Sequence, residues 1–221
     1  ITIGDWSSDV CSSDLFMIKR KIAIALAFST LLSTAAFAAE VPSNENNIVL
    51  ISETSQSKTD DLISKITDNA KFNDNDYITR ETFCEYIYNA ANSLKELPVA
   101  KLSENPFTDT VNYKINGLNF VGIVSGKGNK TFAPDEKITR EEAAVIIYKT
   151  AEYLGLDIPL AKVDIAYSDN DKISPWAVSP IYSLKIMDIL DRNENTFNPS
   201  ENLKYKEAVS DIVNLYNAAD K

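Results

Sequence analysis

The sequence predicts an all-α protein built from repeats, and three observations carry that prediction. One segment recurs as FNDNDYITRETFCEYIYNAANSL (72–94), FAPDEKITREEAAVIIYKTAEYLG (132–155) and FNPSENLKYKEAVSDIVNLYNAA (197–219). Matched positions share one character: Phe72, Phe132 and Phe197; Ile78, Ile138 and Leu203; Ile87, Ile147 and Ile212; Glu81 with Glu141. The later half of each copy spaces its apolar residues as a helix does, with no strand-like alternation. A shorter pattern upstream repeats as well. Phe107-Thr108-Asp109 matches Tyr167-Ser168-Asp169, and Ile115, Leu118 and Ile123 match Ile181, Leu184 and Ile189.

The chain has 221 residues, with 22 Lys+Arg against 32 Asp+Glu, no His and two Cys. Residues 1–16, upstream of Met17, carry no periodic pattern, resemble a translated sequencing-adapter leader and are set aside as non-native. Residues 17–38 read as a signal peptide: Lys19, Arg20 and Lys21 form a positive start, Ile22 to Ala36 an apolar stretch, and Ala36-Phe37-Ala38 a cleavage point. That stretch is shorter than the ~20 residues a membrane span needs, so no span is expected after cleavage. Residues 39–57 form a polar lead-in. Three repeats should follow, at 58–101 (degenerate), 102–160 and 161–221.

In the first repeat Leu62, Ile63 and Ile66 are the candidates for a short helix, and Phe83, Ile87, Ala91 and Leu94 form the stripe of a longer one. Thr79 caps the longer helix, with Glu81 in the first turn favourable to the dipole. In the second repeat Ala143, Ala144, Ile147, Tyr148, Ala151 and Leu154 form the stripe, and Thr139 with Glu142 makes a capping box. Gly122, Gly126 and Gly128 mark a tight loop before it. In the third, Ser174-Pro175 reads as a cap with a first-turn proline for a short helix holding Trp176, Ile181, Leu184 and Ile186. Ala208, Val209, Ile212, Val213 and Tyr216 form the last stripe. Lys204 stands where its cap should be, which predicts the weakest helix start of the three.

Composition excludes several functions. Clustered Lys and Arg for phosphate neutralisation are absent, so no nucleic acid is expected. Without His, and with Cys84 the one thiol after processing, zinc sites, His-based catalysis and an internal disulfide are out. Asp191, Asn193 and Asn195 have the opening spacing of a calcium loop, but Thr196 and Asn202 stand where Gly and Glu are required. No nucleophile elbow, phosphate loop or metal motif is present. The chain is therefore expected to be no enzyme and to need no cofactor.

The ordered motifs resemble the S-layer homology family: the aromatic-x-Asp openings at Phe107 and Tyr167, Trp176-Ala177, the Gly122-Ile123 turn, Phe132-Ala133-Pro134 and Phe197-Asn198-Pro199, then Ile78-Thr79-Arg80-Glu81 and Ile138-Thr139-Arg140-Glu141. The resemblance covers about residues 58–221. It implies three helix–loop–helix repeats about a pseudo-threefold axis, with secondary cell-wall polymers, often pyruvylated, bound in grooves between repeats. It also implies that the helix-start Arg contributes to polymer binding, a role that transfers to Arg80 and Arg140, whereas Tyr205 occupies the third position.

The expected glycan-contacting set is Arg80, Arg140, Thr79, Thr139, Glu141, Gly122 and Trp176, with no metal ligand. A guanidinium at a solvent-open helix start, beside unpaired backbone N–H groups, suits a sugar carboxylate. Bland readings stand beside these roles: Arg80 and Arg140 as ion pairs or links between repeats, Thr79 and Thr139 as caps, Gly122 and Gly126 as turn residues, Trp176 as core. Asp109 and Asp169 are read as bonding local loop amides, and Cys84 as a small buried hydrophobe. The protein is expected to be secreted and held at a bacterial cell wall by an anionic polysaccharide. The alternative is a degenerate array that binds other surface-layer proteins and no glycan.

Overall fold

The computed structural model of the protein describes residues 57–99, 105–160, 167–190 and 195–221. The expected leader, signal peptide and lead-in, up to residue 56, lie outside the described residues, as do Asp191 and Asn193 of the calcium-like spacing. The described residues are all-α. Residues 57–66 are helical and are called α1. The elements that follow are α2 (Arg80–Leu94), α3 (Tyr113–Phe120), α4 (Arg140–Leu154), α5 (Val178–Ile186) and α6 (Tyr205–Ala219), with a 3-10 turn at Asn170–Lys172. β-Structure among the described residues is confined to isolated bridges. No described helix is long and apolar enough to cross a membrane.

The three long helices each run 15 residues and start two residues after the matched Ile78, Ile138 and Leu203. The Thr79 hydroxyl accepts from the Thr82 amide at 3.2 Å, and Thr139 and Glu142 form the expected reciprocal box. At α6 the Lys204 side chain makes no capping bond, because an ammonium has no acceptor to offer. Only half of a box survives there: the Glu207 carboxylate accepts from the Lys204 amide at 3.3 Å.

These helix starts meet at a hub closed by backbone hydrogen bonds. Ile78 N–H donates to Leu203 O, Leu203 N–H to Ile138 O, and Ile138 N–H to Ile78 O. One turn further out, Arg80 N–H donates to Glu136 O, Arg140 N–H to Glu201 O, and Tyr205 N–H to Asp76 O. Each start thus spends its unpaired N–H groups on the preceding loop of the next copy, and the cycle returns to its origin. The three matched starts are thereby linked in one closed cycle of backbone bonds. Ile78, Ile138, Leu203, Ile87, Ile147 and Ile212 are all fully buried.

The short helices lie outside the hub. α3 packs on α2 and α5 on α4, so each covers the long helix of the preceding copy. α3 is capped by Asn112, whose side chain accepts from the Lys114 amide at 3.0 Å. The expected start of α5 is corrected: the helix begins at Val178 after Ala177, and Ser174-Pro175 lies ahead of it in a turn. The Ser174 amide and hydroxyl are drawn to Glu141 of α4 instead, at 3.1 and 3.0 Å.

Candidate functional site

Arg80 and Arg140 stand in the first turns of α2 and α4, as the sequence places them, but their side chains are not held open to solvent. Arg80 is 6% exposed and Arg140 4%. The expectation of solvent-open guanidinium groups is therefore corrected. The backbone ring brings the next copy's loop directly over each helix start, and the guanidinium is folded beneath it.

Each arginine fastens its own copy to the next. Arg80 Nε donates to Phe132 O at 3.1 Å and Nη2 to Ser125 O at 2.9 Å, with the guanidinium 4.9 Å from the Phe132 ring centre. Arg140 Nε donates to Phe197 O at 2.8 Å, Nη1 pairs with the Glu207 carboxylate, and the guanidinium lies 5.7 Å from the Phe197 ring centre. Planar donors and a cation–π contact make arginine suited to this joint. At the third joint Tyr205 stacks on Phe72, centroids 5.2 Å apart and planes within 11°.

The same two phenylalanines are gripped from their amide side. Asp109 accepts from the amides of Phe132 and Ala133, at 2.8 Å each, and Asp169 from those of Phe197 and Asn198, at 2.7 and 2.8 Å. Desolvation opposes the charge on both aspartates, yet these amide bonds outweigh it and hold each carboxyl below its ordinary value. Both residues bond loop amides, as the sequence reading assigned them, but the amides are not local: they lie 23 and 24 positions on for Asp109, and 28 and 29 for Asp169.

Glu141 is buried and committed to Ser174. Its counterpart Glu81 accepts from the Thr110 hydroxyl at 2.9 Å and from the Asn112 side-chain Nδ2 at 3.3 Å. Thr79 and Thr139 act as caps. Gly122 is exposed with φ +79° and nothing near its missing Cβ, a turn glycine. Gly126 answers to crowding: a Cβ there would stand 2.5 Å from Thr131 O, inside the loop that delivers Ser125 O to Arg80. Trp176 is 54% exposed, which corrects the reading of it as core. Cys84 is fully buried, and burial pushes its thiol up to about 12.

Two clefts adjoin these joints. The larger, about 710 Å³, is lined by Glu81, Glu85, Asp109 and the stretch from Thr110 to Lys114, and the Lys114 ammonium is paired with Asp68 at 2.8 Å. The smaller, about 380 Å³, draws on all three copies: Tyr77, Arg140, and Asn198, Glu201, Asn202, Lys204 and Glu207. Of the expected glycan set, only Arg140 lines it. Tyr77, Asn198, Asn202 and Lys204 were not in that set. The one signal for them was the lysine at a threonine cap position. Among the described residues no group of three or more Cys, Asp or Glu side chains is placed to hold a metal.

Residues 122–144 match the family model of the S-layer homology domain. The matched stretch holds the Gly122 turn, the loop over Arg80 and the Thr139-Arg140-Glu141 helix start. The endoglucanase of Bacillus sp. (strain KSM-635) is 30% identical over 120 residues, 52% of this chain and 13% of the Bacillus protein. The resemblance to the S-layer homology family holds, and with it an association with the cell surface.

Proposed function

We propose that the protein is exported and attaches non-covalently to the cell wall by holding an anionic secondary wall polymer, pyruvylated polymers included, in the cleft beside Arg140. The observation that carries this reading is the cleft itself. Tyrosine, two carboxamides, two carboxylates and two cations converge on about 380 Å³ at the joint between the second and third copies. Sugars are recognised by such mixed donors and acceptors, and the cations suit an acidic substituent. Arg140 takes part chiefly by holding the floor of the cleft in place. The same reading gives the chain binding without turnover.

Cosedimentation with purified bacterial walls tests this, before and after chemical removal of the secondary polymer. Retention on intact walls, loss on stripped walls, and weakening by Tyr77→Ala or Asn202→Ala are expected. Both variants change exposed side chains and should leave the melting temperature nearly unchanged. Equal retention on stripped walls would remove the polymer from the proposal.

A second reading has an observation of its own. Arg80 and Arg140 are committed to joints between copies and the third joint has Tyr205, so the helix-start residues are fully employed in building the array. An array of this kind that contacts other surface-layer proteins would bind partner protein on stripped and intact walls alike.

A further inference from the structure

Lys204 breaks the pattern of the other copies in a way the fold does not reward. Thr79 and Thr139 cap their helices through their hydroxyls, whereas Lys204 caps nothing and places a cation at the positive end of the α6 dipole. That local disadvantage coincides with a position on the cleft floored by Arg140.

Among the described residues, the charges lining the cleft beside Lys204 are Arg140, Glu201 and Glu207. Glu207 is engaged by the Arg140 guanidinium and by the Lys204 amide, and Glu201 is exposed at the rim with its backbone carbonyl bonded to Arg140 N–H. The Lys204 ammonium is exposed and makes no ion pair with any described residue. At the Arg80 joint the matched position is Thr139, and Lys127 there reaches the carboxylates of both Glu136 and Glu142. Lys127 is thus spent on carboxylates of its own copy, whereas Lys204 faces a cleft.

Resting on the reading of this cleft as the glycan site, we propose that Lys204 is its specificity-determining residue. Its ammonium receives the acidic substituent of the sugar, with Tyr77, Asn198 and Asn202 left for hydroxyl groups. Selection for acidic sugars then resides at the second joint, giving one selective site per chain. A bound anion also relieves the unfavourable meeting of lysine and helix dipole, so a poor helix start becomes a good binding position.

The two roles of this residue predict opposite effects, which makes the test sharp. Affinity for purified walls and melting temperature are measured for the full chain and for Lys204→Thr, Lys204→Gln and Lys58→Thr. The last removes the same charge from exposed α1. In Lys204→Thr the melting temperature should rise, because a threonine cap is restored, while affinity falls roughly tenfold and its salt dependence weakens. Lys204→Gln should lose affinity comparably, and Lys58→Thr should retain it. A rise in melting temperature with affinity within about twofold of the parent would overturn the assignment and leave Lys204 a poor cap only. Equal losses in Lys204→Thr and Lys58→Thr would overturn it in favour of bulk charge. Failure of the parent protein to bind intact walls would instead overturn the glycan reading on which the proposal rests.

Discussion

At the joint between the second and third copies, Arg140 passes under the next loop, bonds Phe197 O, pairs with Glu207 and lies against the Phe197 ring. At the joint between the third and first copies, Tyr205 meets the matched Phe72 ring face to face. The backbone bonds around the two joints are the same: Arg140 N–H to Glu201 O in one, Tyr205 N–H to Asp76 O in the other. The ring of main-chain bonds therefore fixes the joint, and the side chain at this position is free to change its chemistry. What changes is the consequence of losing it. A guanidinium buried among a carbonyl, a carboxylate and a ring leaves stranded polar groups when removed. A stacked tyrosine leaves mainly lost contact area.

The largest expected effect follows from that difference. Arg140→Ala should lower the free energy of unfolding by about 3 kcal/mol, since the buried Phe197 O loses its guanidinium donor and Glu207 its charged partner. Tyr205→Ala should cost about 2 kcal/mol, because the ring is only half-buried. Urea denaturation of the two variants checks the order. A larger loss from Tyr205→Ala would show that aromatic stacking, and not the guanidinium, is the stronger fastening.

The next effect separates the two arginine joints from one another. Asp169 and Asp109 grip the amides of the phenylalanines whose carbonyls the arginines bind, but Asp169 is buried and Asp109 exposed. Asp169→Asn should cost about 2 kcal/mol, and Asp109→Asn about half of that. The pH dependence has a definite sign. Both carboxyls titrate lower folded than unfolded, despite desolvation, so their stabilisation is complete above the unfolded value of about 4 and drains away as pH falls through the lower folded value. Denaturation midpoints from pH 6 down to pH 2 should fall for the parent protein and fall less for Asp169→Asn. Equal slopes would mean that Asp169 carries no special share of the acid sensitivity.

The long helices were legible because their signals are local. Apolar spacing, Thr79, Thr139 and the Glu142 box lie within a few residues of what they control, and α2, α4 and α6 follow them. Ser174-Pro175 misled for a non-local reason: Glu141, 33 positions back, accepts from both the Ser174 hydroxyl and its amide and holds it in the turn ahead of the helix, which begins only at Val178. Trp176 misled because its helical spacing to Ile181 presumes a helix that begins only at Val178. First-turn placement of Arg80 and Arg140 was readable, but their burial was not. A first-turn position says where a side chain leaves the helix and nothing of the loop that arrives from another copy to cover it. Lys204 was readable as an anomaly, but its place on the cleft was not.

The smallest expected effect tests how closely the two arginine joints match in their backbone. The residue after the gripped phenylalanine is left-handed in both, Ala133 at φ 61° and Asn198 at φ 53°, because this turn aims its amide at the aspartate. Asparagine tolerates that region, whereas alanine pays for its Cβ there, by roughly 1 kcal/mol. Importing the third copy's residue into the second, Ala133→Asn, should therefore stabilise the protein by about 0.5–1 kcal/mol. Ala133→Gly should gain less, because glycine also loosens the unfolded chain. Thermal melts of the two variants beside the parent distinguish the cases. A loss of stability in both would mean that the Ala133 methyl is held by packing that Asn198 does not share. The two joints would then be alike in hydrogen bonding but not in how their turns are supported.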